Sequence, residues 1–194
     1  MPRRLPKAWR HIIINTYGSW LHGDQRGFRS RKHRIHSSGD YRNPPAAGEH
    51  ANLLRYRKQQ CSREVHIDEH LRPIIGRAII EKLQDLGYRV IVVAVTKIHA
   101  HAVTEMPDDV PMIKQIVGEA KRVSSRAVKE ELPGTVWSAG CSYERISSVD
   151  HLRAAYDYVL YKQGRDAWTW GHADADLTGV FDRKRPRKKK PGRR

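Results

Sequence analysis

Cysteine is scarce in this chain, and long apolar runs are absent. Cys61 and Cys141 are the only cysteines and lie far apart, so the sequence offers no CxxC pair for a zinc ribbon and predicts a fold without disulfides. The longest apolar run, Val90 to Val95, has the length of one strand and is too short to cross a bilayer, so no membrane partner is expected. No apolar segment follows Arg3 and Arg4, which argues against a secretory signal. These features favour a reducing, cytoplasmic environment.

Acidic residues are few relative to basic ones. The 194 residues include 21 Asp and Glu against 37 Lys and Arg, which gives a formal net charge of +16. Residues 183–194 carry nine of these positive charges and no acid, which leaves +7 for the rest of the chain. A surplus of this size favours nucleic acid as the partner, and hence a nucleoid-associated protein. The tail alone would fit a nuclear-localisation signal equally well.

The chain length predicts one domain, residues 1–182, followed by a basic, disordered tail at 183–194. Between about residues 22 and 66 the hydrophobic periodicity is lost, and basic residues alternate with Gly, Ser and Pro. A loop of this length is unusual within a compact domain, so we interpret it as a basic insertion that either has a function or is disordered.

Periodicity in the rest of the chain predicts the order β-α-β-β-α-β followed by one more helix. This order is typical of an α+β fold with a ferredoxin-like split βαβ antiparallel sheet, to which a C-terminal tyrosine-bearing helix is appended. The expected strands are His11 to Tyr17, Tyr88 to Val95, Lys97 to Glu105 and Val136 to Arg145. The expected helices run from Asp68 to Gly87, from Asp108 or Asp109 to Leu132, and from Ser148 to about Gln163.

Two histidines, His99 and His101, lie one residue apart in an otherwise apolar strand. Residues i and i+2 of a strand face the same way, so both imidazoles can approach one cation. Two neutral nitrogens are too few for a metal site, and a third ligand must come from elsewhere in the fold. The alternative is a pair of half-buried, hydrogen-bonded or solvent-facing histidines without a metal.

The last helix contains three tyrosines. Its apolar stripe includes Tyr156, which we therefore interpret as a core residue. Tyr158 lies off the stripe, and Tyr161 shares its side of the helix three residues later. From the helix pattern alone, any of the three could be a packing residue.

Three features together resemble the single-tyrosine HUH transposases, and most of all the REP-associated tyrosine transposases and their insertion-sequence relatives. These features are the His-hydrophobic-His strand, the tyrosine helix at 155–163 and the opening strand at 11–24, in a strongly basic chain. The similarity covers roughly residues 9–24 and 68–165. It implies an enzyme that nicks single-stranded DNA, keeps the 5′ end as a phosphotyrosine and rejoins strands during DNA transposition.

The resemblance also implies roles for particular residues. Tyr158 falls where the family places its nucleophile, and His99 and His101 would hold Mg²⁺ or Mn²⁺. The family's third ligand lies four residues after the nucleophile, where this chain has Lys162, so Gln163 is the expected third ligand. Single-stranded or hairpin DNA is the implied partner, and relatives that act as dimers make a homodimer an expected assembly.

On the second long helix, basic side chains share the face opposite its apolar stripe and predict contacts with DNA phosphates. They are Lys114, Lys121, Arg122 and Lys129. The lysine at the expected ligand position also supports an alternative, a catalytically inactive nucleic-acid-binding protein of the same fold. A relaxase or replication initiator is disfavoured because such enzymes are usually longer.

One further pattern, His66-x-x-Glu69-His70, matches an inverted zincin motif. That motif needs both histidines on one helix, whereas Asp68 is expected to cap the helix and to leave His66 outside it. Trp168 and Trp170 could stack on bases, but we interpret them as cover for the core.

Overall fold

The computed structural model of the protein describes residues 6–28, 36–39 and 43–172. The basic tail at 183–194 and part of the basic insertion lie outside the described residues. Five strands and four α-helices make up the described fold. The strands are β1 (Lys7–Asn15), β2 (Val90–Val95), β3 (His99–Pro107), β4 (Ser142–Arg145) and β5 (Trp168–Gly171). The helices are α1 (Ala51–Gln60), α2 (Arg72–Asp85), α3 (Val110–Ala127) and α4 (Val149–Tyr161).

The strands form one antiparallel sheet in the order β4-β1-β3-β2-β5. The first four strands have the neighbours of a ferredoxin-like sheet, so the α+β prediction is confirmed. β3 lies at the centre of the sheet, paired with β1 on one side and β2 on the other. Within the described residues, no helix is long and apolar enough to span a bilayer.

Helices cover both faces of the sheet. α2 and α3 pack on one face, in a core that includes Ile75 and Ile113. α4 packs on the other face, where Leu152 and Val159 meet Val103 of β3. Alternation along β3 therefore sends one set of side chains towards α2 and α3 and the other set towards α4.

Two helices begin where the sequence predicts. The Asp109 carboxylate accepts a hydrogen bond from the backbone N–H of Met112 at 2.8 Å, and the Ser148 hydroxyl accepts one from His151 at 3.0 Å. Each cap satisfies one of the amides left free in the first turn of a helix.

The structure corrects three details of the sequence analysis. The fourth strand is shorter than predicted, because only Ser142–Arg145 pairs with β1, and residue 137 makes a single bridge to Thr16. A helix, α1, lies inside the basic insertion, where no helix was predicted; none of its residues is buried, so it has no apolar stripe to detect. β5 was also missed, because a four-residue strand carries too little periodicity.

Gly76 in α2 provides a test of the packing between β5 and this helix. A Cβ built at Gly76 would overlap the indole ring of Trp168 in β5, so this glycine allows the strand to approach the helix. We expect Gly76→Ala to lower the free energy of unfolding by about 1–3 kcal/mol, because the indole must move. Urea unfolding followed by circular dichroism measures the change.

Gly118 in α3 is the matched control. A Cβ there meets no atom within 4 Å, so Gly118→Ala should stabilise the protein by up to about 1 kcal/mol through helix propensity alone. Equal stabilisation by both substitutions would contradict the packing of Trp168 against α2.

Candidate functional site

The two histidines of the HxH motif project from β3 towards α4. Their ring centroids are 4.7 Å apart, and the ring planes are almost perpendicular. His101 is 4 % exposed, whereas His99 lies nearer the end of the strand and is half-buried. Both imidazoles therefore lie on one face of the central strand, as their spacing requires.

A third histidine, His11 of β1, completes this cluster. Its Nε2 lies 2.9 Å from Nδ1 of His101, and the two rings stack with centroids 5.1 Å apart. Sequence analysis placed His11 in the first strand but gave it no role. The signal in the sequence was a single ionisable residue in an apolar strand. Its contact with His101 depends on the β1–β3 register, which pairs His11 with Val103 and Ile13 with His101.

Burial keeps these histidines neutral. It lowers the pKa of His101 to about 2, and the neighbouring rings of His99 and His11 lower that pKa further. Burial is also the main cause of the lowered pKa values of His11 and His99. Neutral imidazole is the form that binds metal ions, so the cluster has the protonation state that a cation site needs.

Gln163 reaches the histidines from the end of α4. Its Oε1 lies 3.3 Å from Nε2 of His99, and its Nε2 donates a hydrogen bond of 3.0 Å to the backbone oxygen of Tyr158. The helix ends at Tyr161, and Lys162 is its exposed C-cap, so Gln163 lies beyond helical geometry. This turn of the chain brings Gln163 to the site although it follows Tyr158 by five residues rather than four.

The three tyrosines of α4 have different surroundings. Tyr158 meets the rings of His101 and His11 edge-on, with centroids 5.7 and 6.0 Å away, and is 46 % exposed. Tyr156 is half-buried in the core on this side of the sheet, and burial raises the pKa of its phenol. Tyr161 is 70 % exposed and has no ring contact with the cluster among the described residues. The structure therefore brings Tyr158, and neither of the other two, to the histidines.

The basic residues of α3 lie elsewhere. α3 covers the face of the sheet opposite the histidines, so the exposed Lys114 does not converge on the cluster. Lys129 is also exposed but lies beyond the helix, which ends at Ala127 and not at the predicted Leu132. Lys121 donates to the backbone oxygens of Ser138 and Gly140, and burial lowers its pKa. Arg122 pairs with Glu119 at 2.5 Å. If α3 contacts DNA, it does so on a surface separate from the histidine cluster.

The inverted zincin motif does not assemble. His66 lies before the 3-10 turn that precedes α2 and contacts Glu64 at 3.0 Å. His70 instead contacts Glu131 at 2.6 Å. Trp168 and Trp170 pack against the core as expected. Within residues 6–28, 36–39 and 43–172, no group of three or more His, Cys, Asp or Glu side chains is arranged to hold a metal ion.

We predict that acid destabilises the metal-free protein through His101. The unfolded chain binds a proton at this residue as the pH falls through 6.5, whereas in the folded state the pKa near 2 keeps it neutral. A histidine with a lowered folded-state pKa gives its full stability above about pH 7.5 and loses it towards acid. Between pH 7.5 and 5 the loss from His101 is about 2 kcal/mol, measured by urea unfolding in EDTA.

His101→Gln isolates this contribution. The variant removes the titrating group and should show a smaller fall in stability over the same pH range than the unsubstituted protein. Equal pH dependence of the two proteins would show that His101 is not buried as a neutral imidazole.

Comparison with known proteins finds similarity in structure but none in sequence. No family model matches the sequence, and a search of curated proteins finds no match. The fold is similar to a solved structure described as a REP-associated tyrosine transposase bound to a REP hairpin. The similarity has a TM-score of 0.41 and 17 % sequence identity, and it covers 82 % of this chain and 68 % of the other. It is a distant structural similarity and does not establish family membership.

Proposed function

We propose that this protein is a metal-dependent enzyme that nicks and rejoins single-stranded DNA through a tyrosine nucleophile. One observation carries the proposal: an exposed tyrosine, Tyr158, lies against His101 and His11 of a neutral histidine cluster. The amide of Gln163 reaches the third member of that cluster, His99. A phosphodiester resists attack because its negative charge repels nucleophiles, so cleavage needs a cation and an attacking group at the same phosphate.

The residues present fit a small divalent cation. His99 Nε2 and Gln163 Oε1 lie 3.3 Å apart, so both atoms could face one ion. Nδ1 of His101 contacts His11, so Nε2 is the nitrogen that His101 can offer. When bound, such an ion would withdraw charge from a phosphate oxygen and orient the phosphorus for attack.

His11 sets the tautomer of His101. For Nε2 of His101 to carry a free lone pair, Nδ1 must carry the proton and donate it to His11 Nε2 at 2.9 Å. Histidine ligands are commonly oriented in this way by a hydrogen-bond acceptor on the second ring nitrogen. We therefore propose that His11 holds His101 in its ligating form without binding the ion itself.

Tyr158 supplies the covalent step. Its phenolic oxygen forms a bond to the phosphorus and releases its proton, while the bond from phosphorus to the 3′ oxygen breaks and that oxygen takes up a proton. The products are a 5′-phosphotyrosine and a free 3′-hydroxyl. The phosphodiester energy is kept in the tyrosine ester, so a second 3′-hydroxyl can reverse the step and join strands without ATP.

The substrate class follows from charge and from the motif resemblance. The net charge of +16 favours a polyanion. The HxH strand and the tyrosine helix resemble those of the HUH transposases, and this resemblance implies single-stranded or hairpin DNA. The exposed Lys114 of α3 and Lys129, which follows that helix, would then contact phosphates outside the cleavage site.

The direct test mixes the protein with a labelled single strand that carries a hairpin, in the presence of Mn²⁺. We expect a covalent protein–DNA adduct that survives denaturing electrophoresis and disappears when EDTA replaces Mn²⁺. Binding without an adduct, for every strand and metal tried, would overturn catalysis and support the second candidate, a nucleic-acid-binding protein that has lost it. The observation that favours this candidate is Lys162, a cation where the resembling family has a ligand.

A further inference from the structure

An exposed tryptophan, Trp20, lies in the loop that follows β1, the strand that carries His11. Its side chain is 40 % exposed although its indole N–H is fixed by a hydrogen bond of 2.8 Å to the backbone oxygen of Gly27. The guanidinium of Arg26 lies over the ring, 4.6 Å from its centroid. The result is a flat, cationic aromatic surface that does not need to be ordered when a ligand binds.

Asp24 and Ser19 hold Arg26 in this position. The Nε and Nη2 atoms of Arg26 donate to the two carboxylate oxygens of Asp24 at 2.8 and 2.6 Å, and Nη2 also donates to the backbone oxygen of Ser19. Burial would raise the pKa of Asp24, but the hydrogen bonds and charge of Arg26 outweigh it and leave this pKa below its ordinary value. The pair is therefore charged at neutral pH, and Arg26 cannot leave the indole without breaking a two-pronged ion pair.

The same loop is tied directly to the cluster. The Ser19 hydroxyl lies within hydrogen-bonding distance, 2.9 and 3.2 Å, of the backbone oxygens of Thr16 and Ile98, and Ile98 is the residue before His99. This hydrogen bond joins the loop that carries Trp20 and Arg26 to the chain segment at which β3 and His99 begin.

We propose that Trp20, backed by Arg26, is a stacking subsite for one unpaired nucleobase of the DNA strand whose phosphate lies at the histidine cluster. A base adjoining a bound phosphate needs a flat partner, and an aromatic ring beside a cation supplies one for any of the four bases. Continuity with the cluster and positive charge single out nucleic acid over an apolar partner. The inference rests on the proposed function and adds to it a positioning element for the strand.

The test is an abasic scan of DNA binding. The protein carries Tyr158→Phe, so that cleavage does not disturb the binding equilibrium. Its affinity is measured for a series of fluorescent hairpin strands, each of which lacks one of the bases that flank the hairpin. Because stacking on an aromatic side chain is worth about 1–3 kcal/mol, one position next to the hairpin should lose roughly 5- to 150-fold in affinity when its base is removed. Adding Trp20→Leu should weaken binding of the intact strand by a similar factor. Removal of the base at that position should then cause no further loss of affinity.

Two further variants separate stacking from folding. Trp20→Phe keeps an aromatic face but loses the indole N–H, and should retain the abasic effect. Tyr56→Leu, at a tyrosine of α1 that is 56 % exposed, should leave the scan unchanged. If the Tyr158→Phe protein with and without Trp20→Leu binds the strands tightly and loses the same affinity at every abasic position, the stacking subsite is overturned and the proposed function stands. Absence of binding to any strand by the parent protein overturns the proposed function and the subsite with it.

Discussion

Tyr158→Phe is expected to abolish the covalent protein–DNA adduct completely. The substitution removes one oxygen, the atom that would bond to phosphorus, and leaves the ring that meets His11 and His101. Because the side chain is 46 % exposed and no hydrogen bond of its hydroxyl supports the described fold, stability should change by less than about 0.5 kcal/mol. Denaturing electrophoresis measures the adduct, and fluorescence anisotropy measures DNA affinity, which should be retained.

Tyr161→Phe is the matched control. It makes the same change three residues later on α4, at a tyrosine that is 70 % exposed and does not contact the histidine rings. Its adduct should form at the rate of the unsubstituted protein. Loss of the adduct in Tyr161→Phe together with its persistence in Tyr158→Phe would mean that the wrong tyrosine was assigned, while the reaction itself would stand.

His99→Ala is expected to reduce Mn²⁺-dependent cleavage by at least roughly 100-fold. Loss of groups that merely orient a metal ligand typically costs 10- to 100-fold, and His99 would be a ligand itself. Among the described residues, Gln163 is the one side chain to which half-buried His99 hydrogen-bonds, so the fold should survive. The electron paramagnetic resonance signal of free Mn²⁺, titrated with protein, gives the affinity independently of catalysis and should show weaker binding.

His66→Ala serves as its control. His66 is an exposed histidine that contacts Glu64 and lies outside the cluster. The His66→Ala protein should bind Mn²⁺ and cleave DNA as the unsubstituted protein does. Cleavage by His99→Ala that equals cleavage by His66→Ala would remove the metal assignment.

Several parts of the fold could be predicted because nearby residues determine them. The caps at Asp109 and Ser148 depend on a side chain and an amide three residues away. The common face of His99 and His101 follows from the strand repeat, whatever the strand's neighbours are. The helical repeat likewise places Tyr156 on the apolar stripe of α4 and leaves Tyr158 off the stripe and exposed.

The missed elements lacked a local pattern. α1 buries no residue, so neither apolar periodicity nor a capping side chain marks it. β5 spans four half-buried residues, and its pairing with β2 depends on the close approach of Trp168 to Gly76 across the chain. Neither element can therefore be predicted from residues adjacent in sequence.

The sequence by itself determined a basic chain, an α+β order of elements, one HxH face and a tyrosine helix, because charge, periodicity and capping are properties of short segments. Only the tertiary structure decided which groups meet at that face. The β1–β3 register brought His11 to His101, and the end of α4 at Tyr161 let Gln163 reach His99 although Lys162 precedes it. Register and helix termination result from packing between distant segments, and a spacing rule within one segment therefore could not predict them.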